Sequence, residues 1–174
     1  MTSRFVEGPI PVESSLARSD LEFAWFSDSY QADLTKPTIS VADLFEAVFG
    51  HHPRWIKALL ILRNRIARGA GLAVASDAAI WNFERRAYYE AGDAIGPWPI
   101  FHLSERELIA GRDNAHLDFR VSVLKLEAPI PAVAVSTICN VHNRFGKLYL
   151  FFIVPFHRRG MRQLMRRAIS AGRL

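Results

Sequence analysis

A single cysteine, Cys139, in 174 residues excludes an intramolecular disulfide and any multi-cysteine zinc cage, and gives no sign of an oxidising compartment. Long apolar runs are missing too. The strongest, residues 148–156, has Pro155 inside it and falls well short of the roughly 20 residues that cross a bilayer as a helix. Residues 1–11 hold one arginine and no continuous apolar stretch, so a secretory signal is not expected and the implied address is cytoplasmic. Acidic residues are absent from 144 to the end, where eight Lys/Arg gather. The net charge of +5 is therefore a slightly acidic body, with 14 bases against 17 acids, joined to a cationic tail. The chain has no phosphate-binding glycine loop, no G-x-S-x-G elbow and no H-E-x-x-H pair, which removes the commonest nucleotide, hydrolase and metalloprotease readings. Half of the residues are hydrophobic and 22% are charged, enough to build a core without staples, and the length fits one domain over residues 1–174.

Residues 1–18 carry no clear pattern and are expected to be irregular. Residues 21–30, with Phe23, Trp25 and Phe26, read as a first strand. Ser40 is a good N-cap for a short helix, with Asp43 three residues on and Leu44, Phe45 and Val48 at helical spacing until Gly50. Pro53 opens a second helix. Its stripe of Trp55, Leu59, Leu62 and Ile66 opposes Arg54, Lys57, Arg65 and Arg68, and Gly69 ends it. Residues 72–92 have no clean stripe and read as a variable connection.

Four strands follow, at 98–103, 107–110, 116–126 and 132–142, with turns at 111–114 and 128–131. Leu117, Phe119, Val121 and Val123 alternate with polar residues, so one face is apolar and the other polar. Closing the last hairpin around Pro129 pairs Leu117 with Val141, Phe119 with Cys139 and Val123 with Val135. Residues 144–172 form the longest helix. Phe145, Leu148, Tyr149, Phe152 and Phe156 share its first apolar stripe, His157, Met161, Leu164 and Ala168 share its second, and Pro155 should kink it between them.

This order makes an α+β chain of the helix-grip kind: a curved antiparallel sheet wrapped around a long C-terminal helix, with two short helices after the first strand. Arg54-Trp55, the strand from His116 to Val123, and His142-Asn143 with Gly146, Leu148-Tyr149 and Pro155-Phe156-His157-Arg158 resemble a bacterial domain-of-unknown-function family. That family is grouped with the START-like, pollen-allergen-like superfamily of polyketide cyclases and lipid carriers. The resemblance implies a fold and carries over no activity and no catalytic residue.

A sheet gripping a helix encloses a space that can hold a small apolar or amphiphilic molecule. Phe119, Val121, Cys139, Tyr149, Phe152 and Phe156 are the side chains expected to line it, with His157 at its mouth. The alternatives are a dry core, or an enzyme of cyclase or hydrolase type in which His157 or the His116/Asp118 pair moves a proton. His116, Asp118, Arg120 and His142 form a polar cluster on one strand face. Its His-x-Asp…His spacing matches a non-haem iron arrangement, but a polar outer face accounts for it, so no metal and no cofactor are expected. The arginines of the last helix give it weak attraction to an anionic membrane or a partner, with its apolar side expected to be taken up by the core. Nucleic acid is not expected, because no recognition motif accompanies the charge.

Overall fold

The computed structural model describes residues 5–18, 24–69, 86–127 and 129–174. Its strands are β1 (Phe5–Gly8), β2 (Phe26–Asp33), β3 (Ala94–Ile95), β4 (Trp98–Leu103), β5 (Glu107–Asp113), β6 (Leu117–Leu126) and β7 (Ala132–Val141). Its helices are α1 (Ser15–Arg18), α2 (Val41–Phe49), α3 (Arg54–Gly69) and α4 (Arg144–Ser170). The strands form one open, curved antiparallel sheet in the order β1-β2-β7-β6-β5-β4-β3, and α4 packs across its inner face. This is the α+β, helix-grip arrangement expected from the element order.

The β6–β7 hairpin has the expected register, with Leu117 opposite Val141, Phe119 opposite Cys139 and Val123 opposite Val135. Alternation fixes the parity of this pairing, since a slip of one residue would turn polar groups into the core, and the turn around Pro129 selects the register among those of the same parity. On the other side β7 pairs with β2, setting Phe26 opposite Cys139, Asp28 opposite Thr137 and Tyr30 opposite Val135. Inner-face positions are thereby fixed across three strands. Leu44, Phe45 and Val48 of α2 and Met165 and Ala168 of α4 close over Val123, Val133 and Val135 to make the main core. Ser40 caps α2, its Oγ accepting from the Asp43 N–H at 3.1 Å.

Several expectations need correcting. The first strand of the chain is β1, inside the stretch expected to be irregular, and it pairs with β2 through Phe5 opposite Ala32. β2 lies at 26–33 rather than 21–30, of which 21–23 fall outside the described residues. The turn expected at 111–114 begins late, because Gly111, Arg112 and Asp113 are paired with β6. Gly111 fits there because a Cβ would come within 2.1 Å of the Phe119 carbonyl oxygen. The connection expected at 72–92 lies mostly outside the described residues, and α4 is one continuous helix through Pro155.

The first half of α4 and the start of α3 are rotated from expectation, while the second stripe of α4 is buried as expected at Met161, Leu164 and Ala168. The buried residues of α4 are Gly146, Leu150, Met161, Leu164, Met165 and Ala168, while Phe145, Leu148, Phe152 and Phe156 stand exposed. Among the described side chains of α3, Ile56 and Asn64 are buried, and Trp55 and Leu62 are exposed. Gly146 explains the choice in α4. A Cβ there would lie 2.3 Å from the His116 carbonyl oxygen, so the helix comes closest to the sheet along the edge that carries this glycine. Asn143 then caps the helix, its Oδ1 accepting from the Gly146 N–H at 3.0 Å.

Candidate ligand cleft

Between the inner face of the sheet and the first half of α4 the core does not close. An apolar cleft of about 230 Å³ remains. Its sheet wall is Leu117, Phe119 and Val121 of β6 with Thr137 and Cys139 of β7, all on the inward parity set by the register. Tyr149, Ile153, Phe156, His157 and Gly160 of α4 form the facing wall, and Trp55, Ile56, Leu59 and Leu60 of α3 form a third side. Phe49, the last residue of α2, meets Trp98 at the end nearer the core, and His52 packs on Phe49. The Trp55 indole N–H donates to Gln163 Oε1 at 3.0 Å and ties α3 to α4 beside the cleft.

Of the residues expected to line this space, Phe119, Val121, Cys139, Tyr149, Phe156 and His157 are on its wall. Phe152 is not. It points outward with its neighbour Phe151, because the rotation of α4 that brings Ile153 and Phe156 to the cleft turns Phe152 to solvent. Ile153, Trp55 and His52 were missed, and so were Thr137 on the wall and Asp28, which holds His157, two polar groups whose parity carried the signal. Thr137 and Asp28 sit directly opposite each other at positions of β7 and β2 that the alternation assigns to the inner face.

Those two groups differ in their bonding. Asp28 is the middle of a chain in which the Tyr30 hydroxyl donates to Oδ2 at 2.9 Å and His157 Nε2 lies 3.3 and 3.2 Å from the two carboxylate oxygens. The Thr137 hydroxyl is buried and has no hydrogen-bond partner among the described residues. Burial first, then the Asp28 charge, pushes the Tyr30 hydroxyl well above its ordinary range. The same two causes raise the Cys139 thiol to about 12, so it is a neutral wall atom and not a nucleophile. Burial, reinforced by Lys57, lowers His52 to about 4, which keeps that ring neutral as well. The chemistry available in the cleft is therefore an apolar wall, one unpaired hydroxyl and one imidazole held by a carboxylate.

The remaining polar candidates lie away from it. His142 Nε2 is 3.0 Å from Asp118 Oδ2, and His116 Nδ1 is 2.8 Å from Asn143 Nδ2 with its ring against Phe145. Arg120 pairs with Asp113 at 2.6 Å and lies over the Phe101 ring, rather than with Asp118. The four side chains thus divide among three separate sets of partners at the end of the sheet, each with a local structural use.

The outer face of the sheet is not the solvated face that alternation implied. Glu107 is buried there and accepts from Ser14 Oγ and Ser122 Oγ at 2.6 Å each and from the Ser15 N–H at 2.8 Å. Leu16, Ile109 and Ile138 pack beside this network, so the segment leading into α1 covers the middle of the face. No described helix is long and apolar enough to cross a membrane. No curated protein and no solved structure matches the chain. A family model does match, over residues 21–164, and on that extent the chain belongs to the family described as protein of unknown function (DUF2867).

Proposed function

We propose that the protein binds a small apolar or amphiphilic molecule in the cleft between the sheet, α3 and α4. The observation that carries the reading is the cleft itself. Protein interiors are packed as densely as organic crystals, with few voids larger than a water molecule, yet about 230 Å³ stays open beside a well-filled core. The volume is somewhat below the usual range of small-molecule sites, which favours a compact ligand or one whose remainder projects through the mouth. The element order agrees with START-like carriers, and that agreement supports the class of ligand rather than its identity.

Titration with the fluorescent apolar probe N-phenyl-1-naphthylamine tests this, together with native mass spectrometry of the freshly purified protein. Val121→Phe fills the cleft from the sheet side. It should weaken probe binding at least about tenfold while leaving the circular dichroism spectrum intact, since one extra ring occupies a large part of such a space. Binding that ignores Val121→Phe, or no binding by the wild type, overturns the reading.

A second reading is favoured by one observation, the Tyr30–Asp28–His157 chain that ends on the cleft wall at His157. An imidazole held at Nε2 by a carboxylate is oriented as a proton acceptor through Nδ1. A ligand recovered by native mass spectrometry should then change mass on incubation with wild-type protein and not with His157→Gln. A ligand unchanged by both proteins leaves binding as the whole function.

A further inference from the structure

The first half of α4 presents an uncovered aromatic ridge. Phe145, Leu148, Phe151, Phe152 and Phe156 are each between 45% and 66% exposed, and Trp55 and Leu62 of the neighbouring α3 are exposed as well. Singly exposed apolar side chains are ordinary, but a contiguous set of this size is a mark of interaction. The core does not need these rings, because Leu150, Met161, Leu164, Met165 and Ala168 supply the buried side of the helix.

Charge decides what would cover the ridge. At 100° per residue Phe145, Leu148 and Phe152 share the outward side with Arg159 and Arg166, so the exposed face is aromatic before Pro155 and cationic after it. Residues 144–174 contain eight Lys/Arg and no Asp or Glu. Arg162 is taken by Glu7, at 2.6 and 2.8 Å. Arg144, Lys147 and Arg159 are exposed and have no acidic partner among the described residues. A second copy of the chain seated on this face by two-fold symmetry would set cation against cation. The ridge projects outward and is bordered by positive charge, which suits an apolar interior lying behind an anionic plane.

We propose that this face docks the protein on anionic membrane surfaces, with Phe151 and Phe152 entering the acyl boundary and the exposed Lys/Arg of α4 meeting lipid phosphates. Phe156 belongs both to the ridge and to the cleft wall, so docking brings the mouth of the cleft against the bilayer. The docking does not depend on the cleft being a ligand site.

Vesicle flotation of the full chain tests the idea, comparing pure phosphatidylcholine with an equimolar mixture of phosphatidylcholine and phosphatidylglycerol. The wild type should float with the anionic vesicles, weakly with the neutral ones, and less at high salt. Phe151→Ser with Phe152→Ser should cut binding at least about tenfold, and Arg158→Gln with Arg159→Gln should cut it severalfold and flatten the salt dependence. All four positions are exposed, so circular dichroism should be unchanged, and Tm should fall only slightly with Arg158→Gln, whose guanidinium lies 5.4 Å over the Phe26 ring. Val121→Phe should still float, which separates failure of docking from failure of the cleft reading. Failure of the wild type to bind anionic vesicles overturns the proposal, as does binding untouched by the Phe pair. Lipid-independent dimerisation that the Phe pair abolishes would assign the ridge to a second copy instead.

Discussion

Ser136 and Thr137 are neighbours in β7, 1% and 3% exposed, and they face opposite sides of the sheet. Ser136 donates to Ser29 Oγ at 2.9 Å, next to a row in which Ser122, Ser14 and Ser15 all give their hydrogen bonds to Glu107. Thr137 faces α4 across the cleft and has no hydrogen-bond partner among the described residues. The outer face carries a polar network that fastens the segment before α1 to the sheet, although Asn140 Oδ1, farther along the same face opposite Asp118, is buried without a partner among the described residues. The other is an apolar wall with a single open valence. Buried hydroxyls are nearly always paired in native proteins, so the difference separates a face built for stability from a face built to receive something.

The largest break in this contrast comes from removing the acceptor at the centre of the outer face. Glu107→Ala strips three donors of their partner at a buried site and should cost about 3–5 kcal/mol in urea unfolding. Glu107→Gln keeps the shape and loses the charge, and should cost about 2 kcal/mol. Burial acts to raise this carboxyl, but the hydrogen bonds from Ser122, Ser14 and Ser15 outweigh it and hold the group below its ordinary 4.5. The stability it contributes is present above 4.5 and drains as pH falls through the lower folded value. Hydrogen exchange at Leu16 should quicken in step. A Glu107→Ala protein with wild-type stability would show that the network is incidental.

How much of this was readable beforehand depended on whether a pattern was unique. The β6–β7 register followed from alternation, which set its parity, together with closure of the hairpin around Pro129, and the α2 cap from Ser40 with Asp43 in its first turn. The extent of α4 was also legible to within two residues, expected at 144–172 and found at Arg144–Ser170. Its rotation was not. Between 145 and 157 the helix is apolar on nearly every side, so the stripe through Phe145, Leu148 and Phe152 competes with the one through Gly146, Leu150 and Ile153. Periodicity cannot choose between two apolar stripes. Steric fit does, because only the edge with Gly146 can approach the His116 carbonyl. Thr137 on the cleft wall and Asp28, which holds the wall residue His157, were visible as polar residues at inward parity, a departure from alternation that a sequence displays.

The inner face should respond to acid in a different window, which sharpens the comparison. His52 binds a proton near 6.5 when unfolded but only near 4 in its place beside Phe49 and the cleft. The stability associated with its neutral ring is full above 6.5 and is lost as pH falls from there toward 4. About 1–3 kcal/mol should disappear over that interval, less than the full shift implies because the ring keeps some contact with water. His52→Gln should flatten the slope between pH 6.5 and 4.5 and leave the Glu107 loss below 4.5 in place. A single acid transition unaffected by His52→Gln would mean the two faces titrate as one.

The smallest expected effect carries the most information, because its sign reverses across the strand. Ser136→Ala deletes a satisfied hydroxyl and leaves Ser29 wanting, so it should cost about 1 kcal/mol. Thr137→Val is nearly isosteric and deletes a hydroxyl that gains nothing from the folded protein, so it should add up to about 1 kcal/mol of stability to the empty form. If the cleft takes an amphiphile whose polar end meets that hydroxyl, the same variant should bind it more weakly while N-phenyl-1-naphthylamine, which fits by its apolar surface, is hardly affected. Urea melts of both variants with and without ligand decide the matter. Equal destabilisation by Ser136→Ala and Thr137→Val would place a partner on Thr137 in the empty protein and remove the reason to regard the inner face as waiting for one.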